Sequence, residues 1–327
     1  MSVNPEKRLY LGVDTSAYTT SLALVDEEEK LVFDGRKVLP VKAGALGLRQ
    51  SEAVFSHLQN LTVLLEKKEL ILKKNCLAAV AASARPRPVK GSYMPVFKVS
   101  EALGLFLSRT AGLPYVDSSH QEGHLLAGLW SAGLPAGRYL AVHVSGGTTE
   151  LLEFEEISPG RLSISILGGS ADLNAGQFID RLGLLMGLKF PAGQEFEALA
   201  SEFEGPEEAD ITLPVAVKNS EISFSGPASQ AERLLEKGIS PAAVARAVEI
   251  CIADSLICAI INLKFDMKNF NGFLAVGGVM SNITIRNRLI SKLKSWEIDF
   301  AEPRYSTDNA VGLAVQARRM ALSGQLQ

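Results

Sequence analysis

The sequence predicts an α/β fold of two similar βββαβα-type lobes that face one another across a cleft. Three observations point there. The chain has 327 residues, 47% of them hydrophobic and 21% charged, which is ample for a large core and favours two lobes over one. One stretch repeats without a gap: Gly12-Val13-Asp14-Thr15-Ser16-Ala17-Tyr18-Thr19-Thr20-Ser21-Leu22 aligns with Ala141-Val142-His143-Val144-Ser145-Gly146-Gly147-Thr148-Thr149-Glu150-Leu151. Each copy reads as strand, small-residue turn with paired threonines, strand. A third strand, Phe273 to Val276, runs straight into Gly277-Gly278 and then a helix, a geometry that suits nucleotides. With the two repeats in facing lobes, both turns point into the cleft, where backbone N–H groups bind phosphate well.

Taken in order, Leu9 to Val13 reads as an apolar strand and Asp14 to Thr20 as a polar turn. Ser21 to Val25 and Leu31 to Val38 are strands around the charged turn Asp26 to Lys30. A loop with Gly44 and Gly47 follows, then Val54, Leu58, Leu61, Leu64 and Leu65 give Gln50 to Lys68 helical spacing. Leu77 to Ala82 is a short buried strand. Ser83 to Lys90, with Arg85-Pro86-Arg87-Pro88, is a stiff basic loop; Val96 to Thr110 is a helix and Leu113 to Val116 a strand. Past the second repeat, a hairpin through Glu155 to Gly160 leads into Leu162 to Leu167. Ala171 to Leu188 is a helix with its core face at Phe178, Leu182, Leu185 and Met186, broken at Phe190-Pro191-Ala192-Gly193 and resumed from Gln194 to Phe203. Ser201 to Asp210 is an acidic loop and Ile222 to Gly226 a compact turn. Helices run from Ala228 to Lys237 and from Pro241 to Leu263, the second capped by Ser240. Ile283 to Lys294 is an Arg-rich helix, Phe300 to Pro303 closes a strand, and Tyr305 to Asn309 opens the last helix, Ala310 to Leu322.

Formal net charge is −3, so bulk electrostatics do not recruit nucleic acid and any such binding needs a local basic patch. Three cysteines, widely spaced and in apolar company, suggest buried free thiols in a reducing cytosol. The polar start, Met1 to Arg8, has no signal-peptide pattern. The most apolar segment, Ala242 to Leu263, is interrupted by Arg246, Glu249 and Asp254 and reads as a core helix. The expectation is a cytoplasmic protein with no membrane association.

The candidate site centres on Ser119-His120-Gln121-Glu122-Gly123-His124, which holds two of the four histidines. Four residues apart on a helix, His120 and His124 lie on one face, close enough to grip one metal ion; two ordinary histidines are the competing reading. The glutamate is misplaced for the His-Glu-x-x-His of zinc proteases. Two imidazoles and a carboxylate suit zinc or ferrous iron. Asp308 is the candidate third ligand, with a helix-cap role as its alternative. Asp180 could hold a ribose, or be a surface carboxylate. Asn282 could contact a base or sugar, or cap the following helix. Arg85, Arg87 and Lys90 are the candidate contacts to a phosphate backbone.

These stretches together resemble the TsaD family, also called Gcp or peptidase family M22. The family's His-x-Glu-Gly-His stands at His120 to His124 and its Val-Ser-Gly-Gly-His-Thr at Val144 to Thr149. Its Asp-Ala-Ala-Gly-Glu-Ala-Phe-Asp is similar to Leu173 to Asp180, and its Tyr-Pro-Gly-Gly to Phe190 to Gly193. Its Ser-Phe-Ser-Gly is Ser223 to Gly226, its Gly-Gly-Val-x-x-Asn is Gly277 to Asn282, and its Cys-Thr-Asp-Asn is Ser306 to Asn309. The matches are collinear over nearly the whole chain. The resemblance implies the two-lobed fold shared by actin, hexokinase and Hsp70, with residues 1–116 and 304–327 in one lobe and 117–303 in the other.

It also implies transfer of a threonylcarbamoyl group from threonylcarbamoyl-adenylate to the exocyclic amine of a tRNA adenosine beside the anticodon. On this resemblance His120, His124 and Asp308 bind one divalent metal, iron or zinc. His143, Val144, Ser145, Gly146, Gly147, Asp180, Gly193 and Asn282 hold the adenine nucleotide, threonylcarbamoyl-adenylate or ATP. Asp14 and Glu122 are the candidate catalytic carboxylates, and TsaB- and TsaE-like proteins are the expected partners. The chain departs from the family at three places. Ala17-Tyr18-Thr19 replaces Cys-Asp-Glu, Arg85-Pro86-Arg87-Pro88 stands where the family has Gly-Pro-Gly, and Thr148 replaces a histidine. These departures read as those of a divergent paralogue, for which a non-catalytic nucleotide- and metal-binding partner subunit is the alternative. A small-molecule kinase or other ATPase of the same fold is a third reading.

Overall fold

The computed structural model describes residues 7–41, 47–67, 76–205 and 211–325. Gly44, Lys68 and the 206–210 end of the expected acidic loop lie outside them. Two sheets carry the fold. The first has the order β3-β2-β1-β4-β5, from β1 (Leu9–Thr15), β2 (Thr19–Asp26), β3 (Leu31–Val38), β4 (Leu77–Arg85) and β5 (Tyr115–Ser119). The second has the order β12-β11-β6-β7-β8-β10-β9, from β6 (Arg138–Val144), β7 (Thr149–Ser158), β8 (Arg161–Ser170), β9 (Val217–Lys218), β10 (Glu221–Ile222), β11 (Gly272–Val276) and β12 (Ile298–Phe300). Five strands of each sheet follow one plan. β1 pairs antiparallel with β2 and parallel with β4, as β6 does with β7 and β11. The repeat read from the sequence is a repeat of topology.

Both sheets are covered by helices, so their central strands are buried on both faces. On the first sheet, α1 (Gln50–Leu65) packs on β2 and β3, and α2 (Phe97–Ala111) on β1 and β4. On the second, α4 (Ala175–Leu185), α5 (Gly193–Ser201) and α6 (Ser225–Glu236) surround α7 (Pro241–Asn262), which also packs on α8 (Ile283–Lys292). α7 is mostly apolar because it fills a core, with Val244, Val248, Ile252, Leu256 and Ile260 fully buried and its Arg246, Glu249 and Asp254 held in ion pairs. No helix among the described residues is long and apolar enough to cross a membrane.

Two helices join the sheets. α3 (His120–Ser131) packs on β11 of the second sheet and on α10 (Val311–Leu322), and α10 packs on β1, β2 and β4 of the first. The approach of α3 to α10 is tight because Gly312 has no side chain: a Cβ there would lie 2.6 Å from Ala127 N and collide with the Gly123 carbonyl. At the far end of α10, Arg319 donates to Glu29 in the β2–β3 turn and to Glu156 on β7, at 2.8 to 3.0 Å, so one guanidinium ties the two sheets together.

Several boundaries differ from the sequence reading. α4 begins at Ala175, not Ala171, because Gln177 Oε1 accepts from Asn174 N and starts the helix there. Asp172 therefore lies outside it, accepting instead from Ser223 Oγ and Phe224 N. β4 continues through Arg85, so the basic stretch starts as strand. Ser225 and Gly226 belong to α6 and not to a turn. Ser240 occupies the cap position of α7, but its side chain makes no cap bond. The last helix starts at Val311, after the separate short helix α9 (Pro303–Ser306). No disulfide joins the three cysteines, of which only Cys251 is buried.

Candidate functional site

The histidine pair is placed by the start of α3. Ser119 is the N-cap, its Oγ accepting from Glu122 N, while Glu122 Oε2 accepts from Ser119 N at 2.9 Å and Ser119 Oγ at 2.6 Å. This closed box fixes the helix to begin at His120 and puts His124 one turn on. It also engages Glu122, whose Oε2 accepts from the cap residue.

His120 Nε2 and His124 Nε2 are 3.2 Å apart. Asp308 Oδ1 lies 3.6 Å from the first and 3.3 Å from the second, closing a triangle. Asp308 makes no cap bond to the last helix, whose N-cap position is Ala310; the N–H of Val311 donates to Asn309 Oδ1. Ser16 Oγ donates to Asp308 Oδ2 at 2.5 Å, so the first repeated turn holds the carboxylate in place. Asp14, fully buried, stands behind the triangle, its Oδ1 3.0 Å from His120 Nδ1. Asp14 accepts a hydrogen bond from Nδ1–H and orients the ring so that Nε2 faces Asp308, the usual carboxylate–histidine support of a metal ligand. The two carboxylates expected to be catalytic thus hydrogen-bond to His120 and to Ser119 respectively.

The triangle fits a metal ion. Ligand atoms bonded at about 2.0–2.2 Å in tetrahedral to octahedral geometry stand about 2.8–3.6 Å apart, and all three edges fall in that range. Two imidazoles and one carboxylate are a donor set for zinc or ferrous iron. The charges point the same way. Burial opposes a charge on His120, but Asp14 and Asp308 push it up to about 10. Burial likewise opposes charge on Asp308, yet the two histidines hold it well below the carboxylate range. Burial and the charge of His120 lower His124. Without an ion, one imidazolium proton supplies the positive charge these carboxylates need; a divalent cation supplies more.

His143 lies 4.7 Å from His124, ring centre to ring centre. Its two nitrogens are buried with no hydrogen-bond partner among the described residues, and burial holds it well below the usual imidazole range. The Ser145 turn is anchored on three sides. Ser145 N bonds Thr148 O, Gly176 N bonds Ser145 O, and Ala175 N bonds Thr149 Oγ1. Gly146 and Gly147 are exposed, with open space where a Cβ would be, so their backbone faces solvent at the start of α4. Gly277, at φ 101°, lies against the carbonyl of Val144. Asp180, which burial raises, accepts from Ala192 N at 2.7 Å and steadies the loop before Gly193, also open. Asn282 is less free than expected: Oδ1 caps α8 at Ile285 N, and Nδ2 donates to buried Glu249 at 2.6 Å.

Elsewhere the expectations separate. Arg85 pairs with Asp117 at 2.5 Å and Arg87 with Glu150 at 2.6 Å, while Lys90 is exposed. Tyr18, one of the three departures at Ala17 to Thr19, meets Phe190 edge-on at 5.2 Å. Sequence reasoning missed the bonds from Asp14 to His120 and from Ser16 to Asp308, although the repeat carried a signal, since Asp14 aligns with His143.

The family model for tRNA N6-adenosine threonylcarbamoyltransferase, TsaD, matches residues 45–315. The chain belongs to the TsaD family. A curated TsaD-family relative, the tRNA N6-adenosine threonylcarbamoyltransferase of Thermus thermophilus, is 32% identical over 321 residues, covering 94% of this chain and 92% of its own. Among solved structures, component A of the (R)-2-hydroxyglutaryl-CoA dehydratase of Acidaminococcus fermentans superposes with a TM-score of 0.59 at 14% identity, covering 96% and 99% of the two chains. A ROK family glucokinase from Streptomyces griseus, in complex with glucose and AMPPNP, superposes at 0.53 and 14%, covering 95% and 99%. These two neighbours share the two-sheet α/β fold of the TsaD-family chain.

Proposed function

We propose that this TsaD-family chain transfers a threonylcarbamoyl group from threonylcarbamoyl-adenylate to the exocyclic amine of a tRNA adenosine. The observation that carries the reading is the His120–His124–Asp308 triangle with Asp14 behind it, beside an anchored glycine turn of a chain in this family. His120, His124 and Asp308 hold zinc or iron, and Asp14 orients His120. His143 to Gly147, Asp180, Gly193 and Asn282 hold the adenylate, the exposed glycine N–H groups receiving its phosphate. The metal supplies Lewis-acid polarisation of a carbamoyl or carboxylate oxygen. The chain's own part is to fix the adenylate and the acceptor amine within bonding reach. The amine nitrogen bonds to the carbamoyl carbon, the carbon–oxygen bond to phosphate breaks, AMP leaves and the amine loses a proton.

The proposal extends to a cytoplasmic protein working with TsaB- and TsaE-like partners, with the lobes divided as 1–116 plus 304–327 and 117–303. A second reading, a catalytically silent partner subunit, is favoured by one observation: Ala17, Tyr18 and Thr19 offer no carboxylate, and Tyr18 is packed on Phe190.

The test is transfer of labelled threonylcarbamoyl to tRNA by the purified chain with its partners, alongside metal analysis of protein made without chelator. The transferase reading expects label in tRNA and one metal per chain, both lost in His120→Ala and Asp308→Ala. Bound metal without transfer, against a TsaD that retains Cys-Asp-Glu as positive control, favours the silent subunit.

A further inference from the structure

A cavity of about 550 Å³ adjoins the proposed adenylate turn yet shares no residue with the adenylate set. Arg87 reaches over one side of it; Thr149 and Glu150 of β7, Ser170 at the end of β8, Asn174 and Asn219 form much of the rest. Its volume lies within the roughly 300–1,000 Å³ of small-molecule sites, room enough for a nucleoside while the adenylate set is filled.

Glu150 is the charge built into this wall. It is 7% exposed, with Oε1 2.6 Å from Arg87 Nη2 and Oε2 accepting from Gln121 Nε2 at 2.6 Å. Gln121 follows His120 in α3. In the β6–β7 ladder Glu150 is directly opposite His143, and directly opposed residues project from the same face. His143 in turn lies against His124. Glu150 therefore stands between the cavity and the histidine cluster. In the repeat its position is that of Ser21, so this carboxylate belongs to the second copy alone.

We propose that the cavity takes the acceptor nucleotide, an adenosine of an RNA strand, with Arg87 on its phosphate and Glu150 accepting the proton lost by its exocyclic amine. The inference rests on the transferase reading and deepens it. A guanidinium binds phosphate with two parallel hydrogen bonds, so an arriving RNA phosphate draws Arg87 away and frees Glu150 Oε1 to face the amine. As the nitrogen bonds to the carbamoyl carbon and AMP departs with the electron pair of the broken carbon–oxygen bond, the amine proton passes to that carboxylate. Glu150 thus supplies a carboxylate that Ala17-Tyr18-Thr19 cannot.

The experiment uses the metal-loaded full chain with Arg87→Ala and Glu150→Gln; the second variant keeps the side-chain shape and an oxygen for Gln121. Two anticodon stem-loops are compared, one with adenosine beside the anticodon and one with purine riboside, which lacks the amine. Wild type is expected to prefer adenosine about tenfold, as a hydrogen bond to a charged group gives, and Glu150→Gln to lose the preference. Arg87→Ala weakens both RNAs by about tenfold and lowers the salt slope by about one. Neither variant changes affinity for a non-hydrolysable adenylate, and Glu150→Gln slows transfer by about a hundredfold or more. Unchanged RNA binding and preference in both variants overturn the proposal, as does weakened adenylate binding in their place, or no RNA binding by wild type. If wild type binds RNA with this pattern but transfers nothing, the transferase reading fails while the acceptor pocket stands.

Discussion

Asp14 and His143 occupy equivalent positions in the two repeated strands, and each engages one histidine of the α3 pair. Asp14 Oδ1 is 3.0 Å from His120 Nδ1, and the His143 ring is centred 4.7 Å from that of His124. One backbone position, used twice, thus supplies a charged support to one imidazole and an uncharged neighbour to the other. The repeat lends the centre its asymmetry through side chains, not through topology.

The support from Asp14 is measurable. Asp14→Ala is expected to weaken metal binding about 10–100-fold, the usual cost of losing an orienting carboxylate, while leaving one site per chain. Competition against a chromogenic chelator reads this directly. An affinity equal to wild type would show that His120 needs no help from Asp14.

The approach of α3 to α10 yields a prediction about stability. Gly312→Ala puts a methyl into the Gly123 carbonyl and within 2.6 Å of Ala127 N, both backbone atoms that cannot step aside. The expected loss is about 2–4 kcal/mol, with weaker metal binding because Gly123 lies between the two histidines. Gly226→Ala is the counterpart: its Cβ meets nothing within 4 Å, and it lies in α6. A gain of about 0.5–1 kcal/mol is expected there. Urea unfolding of both variants decides; equal stabilities would refute the packing argument.

Asp172 gives a pH-dependent difference. Burial works against its ionised form, but hydrogen bonds from Ser223 Oγ and from the N–H groups of Leu173 and Phe224 outweigh it and hold the carboxyl at about 2. A depressed carboxyl stabilises the fold fully above its unfolded value, near 3.8, and loses that contribution as pH falls toward about 2. Because the side chain is largely exposed, the contribution is held to less than about 1 kcal/mol. Asp172→Asn should be less stable than wild type at pH 6, with the gap closing between about pH 4 and pH 2. A gap independent of pH in urea titrations would remove the carboxylate from the account.

Cys251 should be chemically silent. Burial pushes its thiol up to about 12, so at pH 8 the thiolate is about one part in ten thousand. An alkylating reagent applied to the native protein is expected to modify Cys76 or Cys258 first, both half-buried, and to reach Cys251 only after unfolding. Peptide mass spectrometry resolves the three sites. Early modification of Cys251 would mean that α7 opens locally.

What could be read from the chain alone follows the range of the interactions. The repeat at Gly12 to Leu22 and Ala141 to Leu151 was visible because strand–turn–strand units carry local patterns, and it foretold the shared strand order. His120 and His124 were visible as a pair because one helix turn relates them. The start of α4 was misplaced because a Gln177–Asn174 bond, not hydrophobic spacing, sets it. β9 and β10 escaped notice because two residues hold no periodicity. Asp14 beside His120, and Arg87 on Glu150, join segments far apart in the chain; no local rule relates them, and only the closed fold does.

The Arg319 tie has a mechanical meaning. α10 is 12 residues long, a rod of about 18 Å. At one end Arg319 is bolted to Glu29 and Glu156; just beyond the other, Asp308 faces two histidines borne by α3. A fulcrum at the bolted end makes the rod a lever. Arg319 is eight residues from Val311, about 12 Å along that rod, so a rotation of about 5° about it would move the Val311 end by about 1 Å, several times the roughly 0.2 Å tolerance of a metal–ligand bond. An ion bound by His120, His124 and Asp308 would therefore act as a clasp, tying the start of α3 to the segment that leads into α10.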